Sequence, residues 1–325
     1  MAGLPLIGTK LTLLQIIQNV YNELGITNVP TQLFGNSDPQ VMQLIALANR
    51  EGKDFYNRAF RKDGWQILRK QYTFTINAVS GLTGTFTIGS PIVTGISSTT
   101  GITTSMQPYA TTYIPVDTTV QSIDSSTQIT MSSNALASGT KQNFFCGQVA
   151  YNMPSDFLYF MTQTAWDRNF RWQLLGPLDA QEWQVLKSGI SPTGPRRRFR
   201  IMGNQFVIDP VPGFSTSDNG AIEVFEYYSS SWCQSTGGTS GTPQTQFAAD
   251  TDNYCLDDDC LTLGILWRFK RAKGLDYAEE RETYDLLTER TMANDGGTRN
   301  LPMNASSSGV RLLNSQNVPD TGYGS

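Results

Sequence analysis

Whatever chemistry this chain performs, it performs without histidine. None of its 325 residues is His, which removes Ser–His and Cys–His relays and imidazole metal ligation together. Serine–lysine, paired-carboxylate and carboxylate–metal chemistries remain open. The cysteines Cys146, Cys233, Cys255 and Cys260 are irregularly spaced and form no CxxC pair. They read as buried or incidental free thiols rather than a disulfide framework. Asp257–Asp258–Asp259 is the densest carboxylate cluster. The surrounding DTDNYCLDDDCL opens like a calcium loop at Asp250 and Asp252. It then puts Cys255 where the turn glycine belongs and Leu261 where the bidentate glutamate belongs. Acidic residues at the start of a helix are explained by the helix dipole alone. GISSTTG and STGGTSG are low-complexity loops, and neither GxxxxGK[ST] nor GxGxxG occurs. The sequence therefore leads us to expect no cofactor, no metal and no catalytic residue.

The one basic cluster is Arg196–Arg197–Arg198–Phe199–Arg200. In a strand, Arg198 and Arg200 share one face while Arg197, Phe199 and Ile201 share the other. Such a run can be a solvated strand end, a set of forks for carboxylates of a neighbouring subunit, or a phosphate contact. Of the functional readings, the intersubunit one fits arginine best. Trp166, Trp172, Trp183, Trp232 and Trp267 are the kind of residue that anchors cores and interfaces, and a sugar platform would need them exposed on one surface. Net charge is −4, which argues against sequence-independent DNA binding. Mild acidity suits a protein that DNA must slide past. No apolar run approaches the roughly 18 residues of a membrane span. MAGLPLIGTKLTLLQIIQ lacks the regions of a signal peptide, so Met1 is expected to start a cytoplasmically made protein.

These residues have to be positioned by a chain with 39% hydrophobic and 16% charged residues, a composition that supports a packed core. Leu13, Ile16, Ile17, Val20 and Leu24 form one helical stripe from Thr12 to Leu24, with a Thr12/Gln15 capping box and Gly25 at C′. A second helix is expected from Asp38, with Pro39 in its first turn, through Phe60, bent near Gly52. Its buried face should be Leu44, Ile45, Leu47, Ala48 and Phe55. Spacing then alternates, predicting a strand near Tyr72–Ile76. From Val79 to Thr140 the only charges are Asp117 and Asp124, amid Thr, Ser and Gly. Short runs such as TFTI, PIVTGI and TQITMS predict an inserted all-β unit, sandwich- or barrel-like, over 79–141. After Lys141 a helical core is expected to resume. It carries a strand in NFFCGQVAYNMP and a short helix in LDAQEWQVLKSG, capped by Asp179 and ended by Gly189. RRFRIMGNQFVIDP should form a hairpin turning at Gly203–Asn204, with a further strand at Ala221–Tyr228 and one long helix over Asp257–Met292, bent at Gly274. Residues 295–325 read as an extended polar tail. The expected class is α+β, mainly helical across 1–78 and 142–294.

Several segments together resemble the head-to-tail connector (adaptor) proteins of short-tailed, podovirus-type bacteriophages. They are TLLQIIQNVYNELGI, QLIALANREGKDFYNR, GPLDAQEWQVLKSG, PRRRFRIMGNQFVIDPVP with EVFEYYSSSW, and LDDDCLTLGILWRFKRAKGLDYAEERETYDLL. They cover roughly residues 10–77 and 142–292. The resemblance implies a mostly helical virion subunit at the head–tail junction, assembled as a ring of about twelve copies by heterologous contacts around the DNA channel. One face would dock on the portal and the other would receive the tail nozzle, with fibres often bound around it. Genomic DNA would pass through the lumen without being read. The tail would run along the portal, with Leu301, Val310, Leu312 and Leu313 as small anchors, ordering on binding. Arg198, Arg200 and Trp267 are the residues expected between subunits, on faces built from the hairpin and the long helix. Subunits are expected to stay monomeric until the portal supplies a template. The β insertion departs from the simplest adaptors, and its low charge points to a protein or glycan contact outside the ring.

Two other functions compete. An adhesin is motivated by the Thr/Ser-rich insertion and the tryptophans, but helical ends sit poorly with a β-dominated trimer. A cell-wall hydrolase would need two carboxylates about 5–10 Å apart across a cleft, and no cleft signature is evident in the sequence.

Overall fold

A computed structural model describes residues 10–58, 65–188, 196–235 and 241–295. Both ends of the described chain build one helical module. Helix α1 (Leu13–Glu23) starts at Thr12, whose hydroxyl accepts from the Gln15 N–H while the Gln15 side chain accepts from the Thr12 N–H. Helix α2 (Pro39–Arg58) runs unbroken through Gly52. A Cβ at Gly52 would overlap the Trp232 ring, so this glycine serves close packing and makes no bend. Leu44, Ala48 and Phe55 are buried along α2, whereas Ile45 and Leu47 are half-buried.

The long C-terminal helix expected from sequence is two helices, α4 (Asp258–Lys273) and α5 (Ala278–Asp295). Gly274 stands between them at φ +73°, a left-handed cap that a β-carbon disfavours. The Asp276 side chain then accepts from the Ala278 N–H and starts the next helix. α4 is buried nearly all round and contacts α1, α2 and α5, as a central helix should. α1, α2, α4 and α5 close one core with Trp232, Phe247 and Tyr254.

Between α2 and α4 the regular structure of the described residues is mostly β, and this overturns the expected mainly helical core. Strands β1 (Arg69–Thr75) to β17 (Asn253–Tyr254) form several antiparallel sheets, and among the described residues only five α-helices occur. Among the described residues of 142–229 the sole α-helix is α3 (Ala180–Lys187), with an Asp179/Glu182 capping box; its expected stop, Gly189, lies outside them. The aromatic stretch after Asp156 folds as β9 (Phe157–Phe160), β10 (Trp166–Asp167) and β11 (Trp172–Gln173), with β9 and β10 paired to β14.

This β body packs two sheets face to face. One has β14 (Ile222–Ser229) at its centre, bordered by β1, β9 and β10. The other is β12 (Arg198–Met202), β13 (Gln205–Asp209) and β8 (Ala150–Asn152). Phe206 stacks on Phe199 at 4.4 Å and on Phe225 at 5.2 Å, joining the layers. The β12–β13 turn has Gly203 at φ +55° and Asn204 at φ +61°, the pair of positive angles that a two-residue type I′ turn requires. Residues between β2 (Ala78–Phe86) and β7 (Gly139–Gly147) form two facing three-stranded sheets around Phe86, Val93, Ile129, Met131 and Phe144. Lys187 of α3 bridges this unit to the β body, reaching Asp117 at 3.0 Å and Asp209 at 2.9 Å.

Candidate functional site

The arginine run divides by strand alternation. Phe199 is buried, and Arg198 and Arg200 stand half-buried on the other face of β12, with no ion-pair partner among the described residues. Arg197, just before the strand, turns inward with its side chain 9% exposed. It binds Asp167 at 2.8 Å, Asp218 at 3.0 Å and Glu223. One guanidinium thus faces three carboxylates from β10, the loop before β14, and β14 itself. Glu223 Oε2 is buried and has no hydrogen-bond partner among the described residues. Burial, more than the Asp167 charge, pushes the Glu223 carboxyl up to about 7 against the pull of Arg197. Asp167 and Glu223 make a carboxylate pair, but at 5% and 1% exposure, sealed by Arg197, they have no face open to a sugar. Strand alternation puts Arg197 on the side of Phe199, and that is the available sign in the sequence of a buried partner. Its partners lie 21–30 residues away in sequence, so no local spacing could name them.

A second node ties the helices. Glu51 of α2, fully buried, accepts from Arg268 of α4 and from the Tyr284 hydroxyl of α5. Arg268 also reaches Asp54 at 2.8 Å. Burial raises the Glu51 carboxyl despite Arg268 beside it. Trp267 is 5% exposed, lies in the core shared by α4 and α5, and has the Arg268 guanidinium 4.5 Å from its ring centre. Its packing partners are therefore within its own chain.

Asp257 caps α4, accepting from the N–H groups of Asp259 and Cys260. Asp258 accepts from the Leu11 N–H and faces Lys10 at 3.9 Å. Asp252 accepts from the N–H groups of Ala248 and Ala249, and Asp250 from those of Leu33 and Phe34. The acidic segment thus satisfies loop and helix-start donors from four directions, and its oxygens do not converge. Burial holds the thiols well above their ordinary value, with Cys146 and Cys260 pushed up to about 12 and Cys255 to about 11.

The open surfaces are of two kinds. On α5 only Tyr284 and Thr288 are buried. Its outer side carries Glu279, Glu282 and Glu289 around Leu286, which is 63% exposed; Glu282, Leu286 and Glu289 line a shallow groove from Tyr277 together with Arg281 and Asp285. On the β body the β10–β11 hairpin exposes Arg168, Arg171 and Trp172. A bridge between Leu175 and Arg198 brings this hairpin beside the start of β12. Leu301, Val310, Leu312 and Leu313, the expected portal anchors, lie outside the described residues. Among those described, no helix is long and apolar enough to cross a membrane. Neither a family model nor a curated protein sequence matches this chain.

Proposed function

We propose that this chain is a virion structural protein, a ring-forming adaptor between the portal and the tail nozzle of a short-tailed phage, acting mechanically and without a catalytic step. One observation carries the reading. The helical segments on which the adaptor resemblance rests come from opposite ends of the chain, yet α1, α2, α4 and α5 close a single core with α4 at its centre. A β body and a β insertion then branch from that module without interrupting it. Such an arrangement suits a subunit whose helical module and β body offer two different faces to neighbouring copies, with the β insertion left for other partners. The helical module forms a minority of the chain, so the mostly helical subunit that the resemblance implies is not the fold of this chain.

The test is the native mass of the full-length protein, alone and mixed with the portal ring of the same phage. The expected result is a monomer that loads onto the portal in about twelve copies, the closed heterologous ring of a template-driven assembly. A stable trimer indifferent to the portal would overturn the reading in favour of an adhesin.

A further inference from the structure

Among the charges without an ion-pair partner in the described residues, two groups of opposite sign gather on separate elements, acidic on α5, where Arg290 is also unpaired, and basic on the β body. α5 carries Glu279, Glu280, Glu282, Asp285, Glu289 and Asp295 against Arg281 and Arg290. Within it, Glu280 pairs with Lys270, and Asp285 lies 3.2 Å from Arg58. Glu279, Glu282 and Glu289 have no ion-pair partner among the described residues; with Leu286 they recur at three- and four-residue spacings, which puts them on one side of the helix. A helix this polar, held by two buried residues, is either a solvated strut or half of a contact. A leucine 63% exposed in the middle of its acidic stripe favours the contact.

The complement is on the β body. Arg168, Arg171, Arg196, Arg198 and Arg200 also lack an ion-pair partner among the described residues, and the first three are exposed. Trp172 stands 39% exposed at the same hairpin, stacked on Phe170 at 5.7 Å. Arginine and tryptophan side by side are the composition of an interface anchor. We propose that the acidic stripe of α5 docks on the arginine and Trp172 surface of a second copy of this chain, Leu286 meeting Trp172. The two faces are different, so the contact is head-to-tail and can propagate into a ring. This rests on the adaptor reading and specifies its subunit contact. It moves the expected anchor from Trp267, which is buried, to Trp172.

Two full-length double variants test it, Glu282→Arg with Glu289→Arg, and Arg168→Glu with Arg171→Glu. Each is titrated onto portal rings and weighed by native mass spectrometry, with circular dichroism to check the fold. Each variant alone should load at least about tenfold more weakly than the natural chain, since like charges then face each other. An equal mixture should recover loading, because every reversed face finds a reversed partner. Rings that close unchanged with each double variant on its own would overturn the α5–arginine contact and leave the adaptor reading standing. So would a mixture that fails although both variants fold. A natural chain that neither self-associates nor loads the portal would overturn both.

Discussion

Arg197 is the residue on which the β body depends most, because it is the only base among three buried or half-buried carboxylates in the described residues. Arg197→Ala would leave Asp167 and Glu223 buried with no counter-charge, a change that costs about 3–5 kcal/mol where a buried pair is broken from one side. Urea denaturation should show that loss, and a loss under about 1 kcal/mol, the range of exposed pairs, would mean that water reaches the site. The same node sets a pH dependence. Glu223 has its folded value raised from 4.5 to about 7, chiefly by burial, so the folded chain holds a proton that the unfolded chain has released. Its contribution to stability is full below about pH 4.5 and is lost as pH rises through about 7. Glu223→Gln should flatten that fall in a series of melts between pH 5 and 8, and an unchanged slope would assign the effect elsewhere.

Among the elements, α2 and α4 meet at a glycine that no cap or turn requires. Gly264 of α4 lies against the Glu51 side chain, where a Cβ would overlap Cγ and Cδ. Glu51 cannot give way, being held by Arg268 and Tyr284. Alanine gains about 1 kcal/mol in helix propensity over glycine, whereas overpacking a tight contact costs about 1–3 kcal/mol. The contact should win, so Gly264→Ala is expected to destabilise the chain and lower its urea midpoint. A raised midpoint would show that α2 and α4 can separate at little cost.

For the whole molecule, the three apolar cores are built from separate residue sets, and the insertion leaves and re-enters the β body at one place, with Ala78 paired to Gly147. Replacing residues 80–145 by an Asn-Gly turn should therefore leave a chain that folds and melts in one cooperative step. Lys187 would lose Asp117 but keep Asp209. A shortened chain that binds hydrophobic dyes and melts without a transition would show instead that the insertion completes the other cores.

Local rules determine what depends on neighbours in sequence. Thr12 with Gln15, Asp179 at its helix start and Gly203–Asn204 at the hairpin each satisfy a backbone need within a few residues, so these features are legible in the sequence alone. The break at Gly274 is half legible. A glycine among helix formers marks a bend or an end, and only the left-handed cap with Asp276 behind it decides for an end. After Lys141 the resemblance implies a mostly helical core, while the hairpin at Gly203–Asn204 and the alternation over Ala221–Tyr228 point to strand, and the local patterns are the better guide. Tertiary structure alone decided the partners of Arg197 and Glu51, the burial of Trp267 and the exposure of Trp172. These depend on which distant carboxylate, ring or solvent face each side chain meets. Contacts between segments far apart in sequence have no period or spacing to announce them; they exist only once desolvation has made an unpaired buried charge more costly than ordering the chain around it.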